Sequence, residues 1–202
     1  MPVTRQRLPA LDDILAVHRN DPAAGSWLET LLCHTPLHAI LLHRVAHWLR
    51  ERLGLRLLSR YLSAINRFWT GVEIHPGARI GRGFFLDHGT GVVIGETAVI
   101  GDWCVMFHNV TLGGTGKYHG QRHPRLGDHV FVGTHAILLG PIQVGDHAKI
   151  GANAFVINHD VPAGCTVVGT PARIVKRDGF RTDEDLPRTV PPPGAVAVEL
   201  EV

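Results

Sequence analysis

The sequence predicts an α+β chain: an N-terminal helical region over residues 1–70, then a parallel β-helix of hexapeptide repeats over 71–176, with one extruded loop. Three observations carry this. Apolar residues recur at helical spacing up to about residue 70, as in Leu37, Ile40, Leu41, Val45, Trp48 and Leu49. Beyond residue 71 that spacing gives way to a strict period of six. The period breaks once, between Leu112 and Leu126, where "GGTGKYHGQRHPR" intervenes.

In the helical region, Asp21-Pro22 reads as a helix start, with Asp as N-cap and Pro in the first helical position. Leu55, Leu58, Tyr61, Leu62, Ile65 and Phe68 form a second apolar stripe, and Gly54 separates the two helices. In the repeat region, aliphatic residues fall at Ile74, Ile80, Leu86 and Val92, then after a shift of two at Ile94, Ile100, Met106 and Leu112. A second run takes Leu126, Val132, Leu138, Val144, Ile150 and Val156, skips Pro162, and resumes at Val168 and Ile174. Small residues often stand four places later, as Ala78, Ala98, Cys104, Ala136, Ala148 and Ala154. One hexapeptide cannot bury its aliphatic residue alone, but stacked coils of three form a prism with a continuous interior. The small residue then fits the crowded corner, and the glycine that often follows the aliphatic residue serves unusual backbone dihedrals. A β-sandwich would instead show turns every 8–12 residues and irregular spacing. Residues 177–202, charged and containing Pro-Pro-Pro-Gly, are expected to form a mobile tail.

Bulk properties exclude several functions. The net charge of +2 arises from 20 basic and 18 acidic residues with no basic tract, which argues against a nucleic-acid partner. The N-terminus lacks a continuous apolar signal region, and no run approaches the roughly 18 apolar residues of a membrane span. A soluble, cytoplasmic protein is expected. Cys33, Cys104 and Cys165 are odd in number and far apart, so neither a disulfide framework nor a Cys-x-x-Cys metal site is indicated.

An interrupted rigid solenoid invites function at the interruption, because the scaffold fixes the loop's ends. The segments "DPA", "VEIHPGARIGRGFFLDHGTGVVIGETAVIG", "VTLGGTGKYHGQRHP" and "VVGTPARIVK" together resemble the serine O-acetyltransferase family over about residues 18–176. The spacing of 35 from His88 to His123 fits that family without a gap. The resemblance implies a left-handed winding, acetyl transfer from acetyl-CoA to L-serine, and active sites between the subunits of a homotrimer. The family's N-terminal domain, whose outer helices pair two trimers, is longer than the helical region here, which favours a trimer.

Acetyl transfer to a hydroxyl needs a base, and histidine, with a pKa of about 6.5, suits that task near neutral pH. His88 is the candidate. A carboxylate on its far nitrogen would fix the tautomer. The resemblance assigns that role to Glu73, where the family's V-D-I-H-P motif has aspartate. It also assigns the acceptor's carboxylate to Arg122 and His123, and its amino group and hydroxyl to Asp87 and Asp21, in keeping with the pairing of Arg with carboxylate and Asp with ammonium. For the donor's pantetheine arm, Gly113, Gly114, Thr115, Thr134, Lys149 and Ala152 match the contact positions. "GGTGK" is not a P-loop, since Thr111 replaces its first glycine and Tyr118 follows the lysine. No cysteine carries the signature of a nucleophile, so direct transfer is expected over an acyl-enzyme.

Other readings remain open on the sequence. The acceptor could be homoserine, a sugar or an antibiotic. A γ-class zinc carbonic anhydrase shares the prism and would use histidines such as His108, His119 and His123, although no metal is expected on the acyl-transfer reading. A scaffold role would rest on the C-terminus: family members dock a terminal isoleucine into the cysteine-forming O-acetylserine sulfhydrylase (cysteine synthase), and this chain ends Leu200-Glu201-Val202.

Overall fold

A computed structural model describes residues 9–116 and 119–190. Four helices come first: α1 (Pro9–Asn20), α2 (Trp27–Cys33), α3 (Thr35–Leu53) and α4 (Arg56–Thr70). Ser26 caps α2 by accepting the Glu29 N–H at 3.1 Å, and His34 Nδ1 caps α3 by accepting the Leu37 N–H at 3.1 Å. Gly54 and Gly71 end α3 and α4 with φ of 67° and 71°, the left-handed conformation that glycine reaches without a Cβ penalty. Asp21 does not start a helix as expected. Its N–H donates to Val17 O at 2.8 Å, closing α1, and its carboxylate accepts the Ala23 N–H at 2.8 Å, turning the chain.

The stripe on α4 also behaves differently from expectation. Ser59, Asn66 and Thr70 are the buried residues, while Leu57 and Phe68 are 86% and 94% exposed. Asn66 Nδ2 donates to Ala39 O at 2.9 Å, and Ser63 Oγ donates to Ile74 O at 2.6 Å. The helix is therefore bound to its own chain through polar groups and presents its apolar face outward.

The prism rises in coils of three strands: β1 (Glu73–Ile74), β2 (Arg79–Ile80) and β3 (Phe85–Leu86); then β4 (Val93–Ile94), β5 (Val99–Ile100) and β6 (Val105–Met106). The third coil holds β7 (Thr111–Gly113), the loop, β8 (Arg125–Leu126) and β9 (Phe131–Val132). The fourth holds β10 (Ile137–Leu139), β11 (Gln143–Val144) and β12 (Lys149–Ile150), and the fifth β13 (Phe155–Ile157) and β14 (Cys165–Val168). The first face is the parallel sheet β1-β4-β7-β10-β13, the second is β2-β5-β8-β11, and the third runs β3-β6-β9-β12-β14 before it continues. The expected inward residues are buried from Ile74 to Val156, Ile80 only partly, and the small corner residues Ala78, Ala98, Cys104, Ala136, Ala148 and Ala154 are buried with them. Val161 fills the place beside the skipped Pro162, and Val167, not Val168, points inward in the last coil.

Successive coils meet most closely at the glycines that follow the aliphatic residues. A Cβ at Gly101 would lie 2.4 Å from Gly127 O, and one at Gly145 would lie 2.4 Å from Ala163 N. Space between coils, not an unusual dihedral, sets the requirement there. The left-handed positions come two residues later and are mostly occupied by other types: Trp103, Asn109, His129, His135, His147 and Asn153 all have φ between 55° and 59°. Asn and His tolerate this region better than most residues, and each N–H there donates to the coil before, as His129 N does to Asp102 O at 2.8 Å. Along the edge between the second and third faces, Asp128 Oδ1 accepts the Asp102 N–H at 2.7 Å and Asp146 Oδ1 the Asp128 N–H at 2.8 Å.

The helices are locked to the prism by one buried pair. Asp13, fully buried, takes Arg44 Nε and Nη2 at 2.5 and 2.8 Å and the Phe84 N–H at 3.1 Å. Arg44 Nη2 also donates to Gly81 O at 2.7 Å. Around this lock Ala16, Val17 and Leu37 pack on Phe85.

The segment from residue 177 was expected to be a mobile tail, yet up to residue 190 it is built into the fold. β15 (Arg173–Arg177) pairs antiparallel with β14, and β16 (Phe180–Glu184) pairs antiparallel with β15. Leu186 then packs on the core, and Thr189 N donates to Asn158 O at 2.9 Å. Residues 191–202, with the Leu200-Glu201-Val202 terminus, lie outside the described residues. Among the described residues no helix is long and apolar enough to cross a membrane.

Two outcomes follow for stability. Asp13→Ala strands Arg44 and costs about 3–5 kcal/mol in urea unfolding, and Asp13→Leu combined with Arg44→Met recovers part of it. His43 is buried in α3, and burial pushes its pKa from 6.5 down to about 3. Between those values the unfolded chain binds a proton that the folded chain does not, so stability falls as pH falls below 6.5. The urea midpoint drops less between pH 7.5 and 5 in His43→Leu than in the native chain.

Candidate active site

The residues singled out in the sequence fall mainly on two of the prism's edges, and both edges border the first face. Where the third face turns into the first, Asp87 and His88 follow the inward Leu86. His88 has φ of 60° and a side chain 73% exposed, so the pair projects from the wall instead of entering the core. Asp87 Oδ1 lies 3.8 Å from His88 Nε2, beyond hydrogen-bond reach. In the next coil His108 takes the same place after Met106. Its ring meets that of His88 edge-on with centroids 5.7 Å apart. Thr134, in the third coil, has its hydroxyl 2.8 Å from His108 Nε2 and 2.8 Å from His135 Nδ1. Ala152 follows in the fourth coil, where its N would lie 2.7 Å from a Cβ at Gly133.

The helices add to this edge. Asp21 and His34 line a cavity of about 130 Å³ with Thr30 and Cys33. Burial pushes the His34 pKa down against the pull of Asp21 and Asp87, and the His34 ring lies with its centroid 6.2 Å from that of Phe85, two residues before Asp87. His34 was missed in the sequence because its role as a helix cap and its proximity to Asp87 both arise from packing.

Glu73 does not join this group. Its carboxylate pairs with Arg67 of α4 at 2.9 Å, and among the described residues no ion pair links it to His88. Glutamate carries its carboxylate one methylene further from the backbone than the family's aspartate, and Arg67 is there to receive it. The expected Glu73–His88 contact is thus replaced by a contact to the helix.

At the edge where the first face turns into the second, Thr97 organises the base of the loop. Its hydroxyl accepts the Arg122 and His123 N–H groups at 3.0 and 3.2 Å and lies 2.8 Å from His123 Nδ1. The Thr97 N–H also points at Nδ1, at 3.2 Å. Nδ1 is therefore the acceptor, and the ring proton sits on Nε2. Burial, aided by Arg122, lowers the His123 pKa to about 4, so the ring is neutral at pH 7. The ring lies on Gly95, where a Cβ would come within 2.1 Å of Nε2. Arg122 Nη2 binds Glu96 Oε2 at 2.7 Å. Neither Glu96 nor Thr97 was singled out in the sequence; their column position, one coil before the loop's return, is the signal that marks them.

The donor candidates divide the same way. Gly113, Gly114 and Thr115 begin the loop, and the Thr115 hydroxyl is buried without a hydrogen-bond partner among the described residues. Thr134 and Ala152 belong to the His88 edge, and Lys149, exposed on β12, stands on the third face beside it. Burial raises the Cys104 thiol to about 12 and raises Cys165 as well, which keeps both sulfurs in their unreactive form. Among the described residues no group of three or more His, Cys, Asp or Glu side chains is placed to hold a metal ion.

Residues 123–158 match the family model described as bacterial transferase hexapeptide (six repeats). The serine acetyltransferase of Synechococcus elongatus is 53% identical over 171 residues, 85% of this chain and 69% of that protein. That of Helicobacter pylori strain 26695 is 54% identical over 162 residues, 80% of this chain and 94% of that protein. The crystal structure of Neisseria gonorrhoeae serine acetyltransferase superposes with a TM-score of 0.80 at 44% identity, covering 86% of this chain and 66% of that one, just under two thirds of its length. With this identity extending over nearly all of the Helicobacter protein, the chain belongs to the serine acetyltransferase family.

Proposed function

We infer that the protein transfers the acetyl group of acetyl-CoA to the hydroxyl of L-serine, giving O-acetyl-L-serine and CoA. The observation that carries the mechanism is the division of the site between two edges of one face. His88 and Asp87 stand on one, Arg122 and His123 on the other, so the base and the carboxylate-binding group belong to complementary half-sites. A homotrimer with first faces turned inward would bring the His88 edge of one subunit to the loop edge of the next. The outward apolar face of α4 supports such an assembly, because a contiguous exposed apolar surface marks an interaction site.

In the joined site, Arg122 and the Nε2–H of His123 hold the serine carboxylate, and Asp21 and Asp87 hold its ammonium group. His88 takes the hydroxyl proton as the oxygen attacks the thioester carbonyl. The tetrahedral intermediate then expels the CoA thiolate, which receives that proton. No acyl-enzyme forms, in keeping with the unreactive state of the buried thiols. Gly113, Gly114 and Thr115 of one copy and Thr134, Lys149 and Ala152 of the next would line the pantetheine groove. A reaction that draws on acetyl-CoA suits the cytoplasm.

Purified protein given acetyl-CoA and L-serine should release free CoA, and His88→Ala should lower kcat roughly 10²–10⁴-fold with the fold intact. Near-native kcat would remove His88 as base. Chains carrying His88→Ala and chains carrying Arg122→Met, each strongly impaired alone at sub-saturating serine, should regain roughly a quarter of native activity on co-expression, because random mixing leaves that share of interfaces intact. No recovery would mean that each chain holds its own complete site. Gly95→Ala displaces the His123 ring and should lower kcat/KM for serine by about 10²-fold, the cost of a misplacement near 1 Å, without altering the melting temperature by more than a few degrees.

A further inference from the structure

We propose that Arg50, at the C-terminal end of α3, is a positioning residue that keeps Arg122 available for the acceptor's carboxylate by sharing Glu96 with it. This rests on the reading of Arg122 as the carboxylate-binding group.

Glu96 bridges two guanidinium groups, one oxygen to each. Oε1 takes Arg50 Nη2 at 2.8 Å, and Oε2 takes Arg122 Nη2 at 2.7 Å. The side chains are 20%, 32% and 33% exposed for Arg50, Glu96 and Arg122, so the bridge is shielded without being sealed. Arg50 reaches it from 46 positions away, beside a cavity of about 260 Å³ that Arg50 and Glu96 line together with Gln121. On its other side Arg50 Nε faces Glu51 at 3.5 Å, which keeps the guanidinium over the prism edge. Glu96 is held in its charged form, chiefly by the Arg122 hydrogen bond. The two imidazoles nearby add no positive charge at neutral pH, since burial brings both His75 and His123 down to about 4.

The geometry of guanidinium recognition gives this sharing its consequence. Arginine binds a carboxylate best when two parallel N–H groups meet its two oxygens. Arg122 spends only Nη2 on Glu96, while Nη1 donates to Gly120 O at 3.3 Å and Nε meets no partner among the described residues. A fork with Nε unengaged can still take a second carboxylate. If Glu96 lost Arg50, its freed Oε1 would turn to Arg122, the pair would become bidentate, and Arg122 would be neutralised within its own chain. Arg50 thus acts on the acceptor through Glu96 without touching it.

The test is steady-state kinetics on the full-length protein with acetyl-CoA and L-serine. Arg50→Met should raise the KM for serine about tenfold, leaving kcat at saturating serine and the KM for acetyl-CoA within twofold of native. Arg50→Lys should restore at least half of the lost affinity, because an ammonium still engages Oε1. Glu96→Gln in the Arg50→Met background should bring the serine KM back toward native, since a neutral amide no longer competes for Arg122. An unchanged serine KM in Arg50→Met, or a fall in kcat equal to the rise in KM, overturns the proposal. So does failure of Glu96→Gln to relieve the defect. Arg122→Met, assayed alongside, separates the two levels: if it leaves the serine KM unchanged, the carboxylate reading itself fails, whereas a defect in Arg122→Met without one in Arg50→Met removes only the role of Arg50. Melting temperatures within a few degrees of native show that the variants are folded.

Discussion

Register between coils is the constraint on which the rest of the molecule depends. Each coil donates backbone N–H groups to the next in parallel ladders, and the inward aliphatic residue of one lies directly beneath that of its neighbour. A position in the repeat therefore becomes a column in space. Columns of aliphatic residues make the core, columns of small residues make the corners, and columns of outward residues run down the edges. His88, His108, Thr134 and Ala152 are far apart in sequence and adjacent in space for this reason alone. The loop is tolerated because the chain rejoins the ladders on either side of it, Gly113 pairing with Leu139 on the first face before the loop and Arg125 with Val99 and Gln143 on the second face after it.

A rigid prism with a small cross-section has little concavity of its own, and that shapes how it can bind two substrates. Its edges carry reactive groups outward but cannot enclose them. The helices supply some enclosure around Asp21 and His34, and the loop base supplies some around Glu96 and Thr97. On the proposed reading, neither half surrounds an acceptor by itself. The Asp13–Arg44 lock matters here because it fixes the helical pocket against the prism wall that carries Asp87, and a slack helical unit would blur that geometry.

Much of this was legible in the residues. The six-residue period gave the prism, and the break after Leu112 gave the loop. The chemistry of His88 and of the Arg122-His123 pair drew attention to the two edges on which the proposed site rests. What stayed hidden depends on partners distant in sequence. Nothing near Glu73 shows that Arg67 will take its carboxylate, and a helical stripe does not reveal which side of α4 meets the prism, since Ser59 and Asn66 satisfy backbone groups that appear only after folding. Asp21-Pro22 looked like a helix start because capping chemistry is the same whether the preceding chain is a loop or a finished helix. The fold of residues 177–190 was invisible for a related reason: β16 obeys no six-residue period, because it pairs antiparallel with β15 in a hairpin instead of stacking as another coil.

That reversal of direction at β15 has a further meaning. A parallel ladder exposes at its last rung the same unpaired donors and acceptors that recruited the rung before, so a bare end is a template able to seed growth by another chain. Turning the strand back on itself offers the ladder an antiparallel partner from within, and the segment through Leu186 and Thr189 covers what remains. A structure that is in principle an indefinite polymer of six-residue units is thereby made a molecule of finite length.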